Sequence, residues 1–353
     1  MLWIIGADAI VRSMSKATGS PFWNAFAAQM EHPDWNGFSF FDLIFPLFLF
    51  IAGVATPFSI GKELEKGKTK RELLARVIRR SLILIFLGFI TANRPDQHFV
   101  LKPLSEYRYA SVLGRIGLAY MFANIIYLYA SQKAQMIWFW ALIIGYWLLL
   151  KFTSAPGYPM GDLSMEGNFA SYIDRSIMPG TLYLKIHDPE GLVSTIPSIS
   201  TGLLGILTGR FLRKQNVSGN RKFLGMLIGG VLFLILALLW NLNFPINKNL
   251  WSSSFVLFAG GLSLILLAVF YYIIDVRGFK KWTFVLKVIG MNSILIYISG
   301  VVINWSYSTN GFFKWLTQLS AERYEPVVFA ICVLVVKWVF LYFLYKKRIF
   351  LRV

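Results

Sequence analysis

The chain has 353 residues, of which 56% are apolar and 15% charged, and it carries a net charge of +18. A soluble domain holds roughly 25% charged residues, and one of this size could not hide so much apolar surface, whereas a bilayer absorbs it. A single cysteine, Cys332, excludes a disulfide framework and a thiolate metal site, so no metal is expected.

Runs long and apolar enough to span recur at 1–14, 39–61, 78–93, 110–130, 135–152, 193–213, 222–242, 251–275, 284–304 and 326–345. They predict an all-α, polytopic transmembrane bundle of about ten helices, forming a single domain over 1–353. The first run opens directly as Met1-Leu2-Trp3-Ile4-Ile5, without a cationic start or a cleavage site. It therefore reads as a first helix with a missing or abrupt beginning rather than a signal peptide.

Charge sets the expected orientation. The loops 62–80, 131–134, 210–222 and 276–287 and the tail from Lys346 hold 22 of the 35 Lys and Arg. Of the 17 acids only Glu63, Glu65, Glu72 and Asp275 fall on that side, so the whole basic excess sits on one face of the alternation. That is the positive-inside pattern, with both chain ends on the cytoplasmic side, and not a nucleic-acid footprint. The longest segments on the other side, 15–38 and 153–192, are rich in turn formers such as Gly161-Asp162 and Pro179-Gly180. No internal repeat is visible.

P-loop, dinucleotide, HExxH and GxSxG patterns are absent from the sequence, so chemistry must come from polar residues at helix mouths. His32 precedes the second run and Asp42 lies about one turn into it. A carboxylate there could hold an imidazole in one tautomer. Equally, His32 could be a solvated loop residue and Asp42 a partner of the helix dipole. Asp8, inside the first run, faces a cavity or lies near water, and Lys337 in the last run snorkels or meets phosphates. Asn292 and Ser293 interrupt the ninth run, for helix packing or for a polar cavity. Arg115 opens the fourth run as an interfacial residue or part of an anion site. The turn Phe244-Pro245-Ile246-Asn247-Lys248-Asn249-Leu250-Trp251 offers amides, an ammonium and an indole to a sugar, or serves as an interfacial anchor. His98 and His187 read as solvated.

Several segments, in order, resemble the heparan-α-glucosaminide N-acetyltransferase family. They are His32-Pro33-Asp34-Trp35-Asn36-Gly37, Asp42-Leu43-Ile44-Phe45-Pro46, Phe48-Leu49-Phe50-Ile51-Ala52-Gly53, Tyr172-Ile173-Asp174-Arg175, Asp188-Pro189-Glu190-Gly191, the Pro245–Trp251 turn and Gly290-Met291-Asn292-Ser293-Ile294-Leu295. The resemblance implies transfer of acetyl from cytosolic acetyl-CoA, a co-substrate, to the amine of a terminal glucosamine across a membrane. It makes His32 the essential histidine, as base or transient acetyl carrier, and Asp42 its orienting partner. A polar position of the family's first helix falls at Asp8, where the animal enzymes carry an amide.

The expected acceptor group comprises Asp8, Asn36, Asp188, Glu190, Asn247, Lys248, Asn249, Trp251 and Asn292. Arg79, Arg80, Arg115, Lys280 and Lys281 are the expected contacts of acetyl-CoA, drawn to the basic face. The partners are then an amino-sugar or glycan acceptor and the lipid bilayer, a homo-oligomer is compatible, and the location is a bacterial inner membrane. Two other readings remain: an amino-sugar transporter, and a membrane acyltransferase for another envelope glycan.

Overall fold

The computed structural model describes residues 1–93 and 102–351, and they form two compact units: Met1–His32, Ser39–Phe41 and Phe279–Val353 in the first, Pro33–Phe38 and Asp42–Gly278 in the second. No β-strand occurs among the described residues; the one isolated bridge joins Arg108 and Gly180.

The first unit opens with a wide helical turn at Trp3–Ala7, then α1 (Asp8–Thr18) and α2 (Pro21–Ala28). Gly6, at φ 135, breaks the turn, so the first apolar run is not one continuous helix. Gly19 in the left-handed region closes α1, and Pro21 starts α2 where its missing N–H is harmless.

The second unit holds α3 (Ile44–Glu65), α4 (Lys70–Ala92), α5 (Val112–Tyr129), α6 (Gln132–Phe152), α7 (Phe169–Ile177), α8 (Thr195–Arg213), α9 (Gly219–Asn241) and α10 (Ser253–Tyr271). Side-chain caps mark the entries: Thr69 with Glu72 forms a capping box on α4, and Ser111, Ser131, Asn168 and Ser252 cap α5, α6, α7 and α10. Helices α3 and α8 pack backbone to backbone. A Cβ on Gly205 would lie 2.0 Å from the carbonyl oxygen of Phe50, so only glycine permits this approach. Around them Leu49, Phe50, Leu203, Ile206, Phe255 and Val256 form a core excluded from solvent.

The chain returns to the first unit with α11 (Thr283–Met291), α12 (Ser293–Val302), α13 (Trp305–Gln318) and α14 (Glu325–Lys346). Ile5, Val288, Ile289, Ile296, Trp305 and Leu341 make its core. The Nζ of Lys337 donates to the carbonyl of Ile5, 2.8 Å away, in the turn that Gly6 distorts.

Among the described residues six helices are long and apolar enough to cross a membrane: Phe40–Glu65, Val112–Tyr129, Gln132–Phe152, Gly219–Asn241, Ser253–Val276 and Glu322–Lys346. The pair α11 and α12, bent by 62° at Asn292, makes a seventh if it is one span. The expected count of about ten is approximate for physical reasons. The first run is broken at Gly6, and α4 carries Arg76, Arg79 and Arg80 along its length. Three helices, α2, α7 and α13, lie in stretches that read as loops, since their patterns are too short or too polar to announce a span.

Candidate active site

The polar end of the second unit is built from the starts of α3, α5 and α8 and from the turn between α9 and α10. Two segments more than 200 residues apart meet here. The Nδ2 of Asn247 donates to Oδ1 of Asn36 at 3.0 Å, and the N–H of Gly37 donates to the carbonyl of Ile246 at 2.8 Å. Asn247 also folds its own turn, because its Oδ1 accepts from the N–H of Leu250 at 2.8 Å. The turn closes on Trp251, held at φ 51, whose buried ring lies against Phe45 and Phe255 and donates to Thr201 Oγ1 at 3.3 Å.

Charges gather around this turn. Asp42, wholly buried, pairs with Lys248 at 3.4 Å. Burial pulls the Lys248 ammonium below the usual lysine range, and the Asp42 charge offsets part of that. Arg108 grips Asp188 with two hydrogen bonds, at 2.8 and 2.6 Å, and also reaches Glu190. Burial pushes the Asp188 carboxyl up, yet the Arg108 contacts outweigh it and hold the group below its ordinary range. Arg115 is fully enclosed: its Nη2 reaches Gly191 O and Ser194 Oγ, and its guanidinium lies 5.0 Å from the Trp251 ring. Among the described residues its Nε and Nη1 have no partner.

Sequence reasoning missed four members of this group: Arg108, Asp174, His187 and Gly191. His187, expected to be solvated, is wholly buried. Its Nε2 faces the carbonyl of Asn249 at 3.2 Å and must carry the proton, so Nδ1 accepts from Ser171 Oγ at 2.7 Å. The ring thereby anchors the Phe244–Trp251 turn, and Trp35 meets it edge-on at 5.1 Å. Burial lowers its pKa to about 4, against the opposing pull of Asp188. Burial likewise raises Asp174 to about 6; one oxygen accepts from the N–H of Leu192 and the other has no partner among the described residues. A Cβ on Gly191 would sit 1.8 Å from that free oxygen, which explains the glycine of Asp188-Pro189-Glu190-Gly191. The signal was in the text, since Tyr172-Ile173-Asp174-Arg175 and Asp188–Gly191 both carry the resemblance. His98 lies outside the described residues.

His32 belongs to the first unit, exposed, with its ring 5.2 Å from that of Phe41. Arg12 fixes the preceding segment by donating to the carbonyl of Met30 at 2.7 Å, and Asp8 stands 3.5 Å from Arg12. Both ends of the Asn292 amide hold the C-terminal tail, through Ile349 O and the N–H of Leu351. Of the cations expected on acetyl-CoA, Arg115 joins the Asp188 group, while Arg80 lies over the Tyr120 ring and Arg79 is exposed on α4. Lys280 and Lys281 are exposed ahead of α11 in the first unit. No group of three or more histidine, cysteine or acidic side chains fit to hold a metal occurs among the described residues.

Fold and site together define a polytopic helical membrane protein with a buried, charge-balanced polar group at one end of its larger unit. Residues 13–159 match the model of a domain of unknown function, DUF5009. Over 95% of its length the chain is 29% identical to heparan-alpha-glucosaminide N-acetyltransferase of Homo sapiens, and it is equally similar to that of Mus musculus. The chain spans 57% of the length of each of these relatives. The resemblance read from the motifs is therefore borne out, and this chain is related to the heparan-α-glucosaminide N-acetyltransferases.

Proposed function

We propose that this protein is a membrane acetyltransferase that moves acetyl from acetyl-CoA to the amine of a glucosamine-type sugar, with the donor arriving at the basic face and the acceptor on the opposite side, and with a bacterial inner membrane as its location. One observation carries the reading: the two segments most distinctive of the resemblance, His32–Gly37 and Pro245–Trp251, are hydrogen-bonded to each other through Asn36–Asn247 and Gly37–Ile246. A motif pair that meets in space after separation in the chain is what a shared acceptor site requires.

The chemistry is acyl transfer. The neutral amine attacks the thioester carbonyl, the C–N bond forms, the C–S bond breaks, and the amine proton leaves with the CoA thiol. His32 takes that proton, or its ring nitrogen carries the acetyl group between the two substrates. Asp42 sets the imidazole tautomer in this reading. Asn36, Asn247, Asn249, Asp188, Glu190, Lys248 and Trp251, with Asp8 and Asn292, serve the acceptor. Arg79, Arg80, Lys280 and Lys281 serve the donor, and Arg115, enclosed at the polar end, supports the acceptor side.

The test is acetylation of a glucosaminide by the purified protein in nanodiscs with radiolabelled acetyl-CoA. His32→Ala is expected to lower turnover by roughly two to four orders of magnitude, the usual worth of a positioned base, while leaving the fold intact because the side chain is exposed. Acid quenching after acetyl-CoA alone separates the two roles of His32, since only a carrier retains label. Wild-type turnover in His32→Ala sinks the assignment. Sugar uptake into liposomes without acetyl-CoA, and no acetyl transfer, would replace the enzyme with a transporter.

A further inference from the structure

The other end of the second unit holds a cleft lined by none of the residues assigned above to the acceptor or the donor. It lies where α3, α5 and α8 finish, with a volume of about 880 Å³. Its polar wall presents Lys62, Arg210, Arg213 and Lys214 beside Tyr127 and Gln132, and its apolar wall is Pro57, Phe58, Leu64 and Leu212. Glu65 is the one carboxylate in the lining among the described residues, and Arg213 engages it with Nη2 at 2.8 and 3.0 Å while Nη1 donates to Pro57 O at 2.7 Å. Arg210 stacks 4.6 Å over the Tyr127 ring, and its buried Nε has no partner among the described residues.

Once Glu65 has neutralised Arg213, three cations remain in one cleft. Like charges lining one cleft repel, and an anion among them offsets that repulsion. A guanidinium held against an aromatic ring is fixed in place, and its planar fork of N–H donors matches two phosphate oxygens. The apolar wall adds a place for a hydrocarbon chain attached to that phosphate. Positive charge spread on a membrane surface needs no cleft, and free-standing lysines would satisfy it. Here the cations converge, and basic pockets between spanning helices are where phosphate headgroups settle.

We propose that this cleft binds a phosphate-bearing amphiphile, with Arg210, Lys62 and Lys214 on the phosphate and the Pro57–Phe58 wall on its aliphatic part. Two sources offer that chemistry: the headgroup of an anionic phospholipid, and the phosphates of coenzyme A with its pantetheine arm. The coenzyme arm rests on the proposed function; the lipid arm does not.

The experiment compares the full chain with an R210Q/K214Q variant in nanodiscs, and with a K346Q/K347Q variant that removes equal charge from the C-terminal tail. Binding of unacylated coenzyme A is measured by calorimetry in phosphatidylcholine discs. Stabilisation by phosphatidylglycerol is measured as the Tm rise when it replaces part of the phosphatidylcholine. The proposal expects one of these to weaken by about tenfold or more in R210Q/K214Q, the worth of at least one charge-assisted hydrogen bond, with K346Q/K347Q near wild type. Weakened coenzyme binding identifies a nucleotide site, and lost phosphatidylglycerol stabilisation a lipid site. If neither changes, or if the tail variant changes as much, the cleft proposal is overturned, whatever acetyl transfer shows. If acetyl transfer fails while the lipid effect holds, the enzyme reading falls and the cleft stands.

Discussion

Each end of the second unit sets an arginine against carboxylates, and the two pairs lie in opposite settings. At the polar end Arg108 is 16% exposed, Asp188 not at all and Glu190 8%, and the guanidinium makes three hydrogen bonds. At the basic end Arg213 is 29% exposed and Glu65 62%. Helix α3 runs the distance between them, about 33 Å for its 22 residues. Burial turns an ion pair into a structural commitment, because a carboxylate excluded from water has no other partner to turn to. An exposed pair exchanges with solvent at little cost. The polar end is thus a fixed charge network, and the basic end a pair in exchange with water.

Breaking the buried pair is the largest effect expected. Arg108→Ala leaves Asp188 and Glu190 without their counter-charge and is expected to lower stability by about 3–5 kcal/mol, read as a drop in Tm of purified protein. A Tm equal to wild type would show that the pair is solvated and that the two ends do not differ.

The next effect is a dependence on pH confined to the polar end. Asp174 holds its proton up to about 6 in the folded chain but only to 3.8 when unfolded. The stability this carries is complete below 3.8 and lost as pH rises through 6. His187 runs the other way, protonating near 6.5 unfolded and about 4 folded. Its contribution is complete above 6.5 and lost as pH falls through 4. Between these limits the folded and unfolded chains bind equal numbers of protons from the pair, so the two slopes cancel. Asp174→Asn is expected to leave a Tm that climbs from pH 4 to 6, and His187→Gln one that falls, each over a range of up to about 3 kcal/mol. Identical profiles in both variants and the wild type would refute the assignment of either group.

How legible these ends are in the sequence differs for the same physical reason. Apolar runs announced α3, α5, α6, α9, α10 and α14, since a bilayer demands length and hydropathy together. Asn36, Asn247, Lys248, Asp188 and Glu190 were found through their motifs. Arg108 was not, because it lies in a polar stretch where one more cation carries no contrast, and its importance comes from partners 80 and 82 residues on. His187 read as solvated for want of a sequence neighbour, whereas Ser171 and the Asn249 carbonyl reach it only through the fold. At the basic end Arg210 and Arg213 were visible only as positive-inside charge; that they converge on a cleft is a property of three helix ends meeting.

A smaller effect tests the clasp between the two motif segments. Asn247→Ala removes the bond to Asn36 and leaves the buried N–H of Leu250 unsatisfied, a loss of about 1–3 kcal/mol. Asn36→Ala keeps the acceptor for Leu250 and removes only the bond between the two segments, so it is expected to cost less. Thermal unfolding of both variants measures the difference, and equal losses would mean that the Asn36 contact dominates.

The smallest effect on stability belongs to Glu65, and its sign on binding is opposite. Glu65→Gln is expected to leave Tm unmoved, because the carboxylate is mostly in water and its pair with Arg213 is screened. The same change removes the one acid lining the cleft and releases Arg213 Nη2 toward whatever occupies it. Binding of the phosphate-bearing ligand should then tighten by a few-fold at low ionic strength, and the gain should fade as salt shortens the Debye length below the size of the cleft. Calorimetry with coenzyme A, or the phosphatidylglycerol Tm shift, at two salt concentrations reads it directly. Weaker binding in Glu65→Gln would mean that the carboxylate orders Arg213 for the ligand rather than competing with it, so that the basic end, like the polar one, works as a built network.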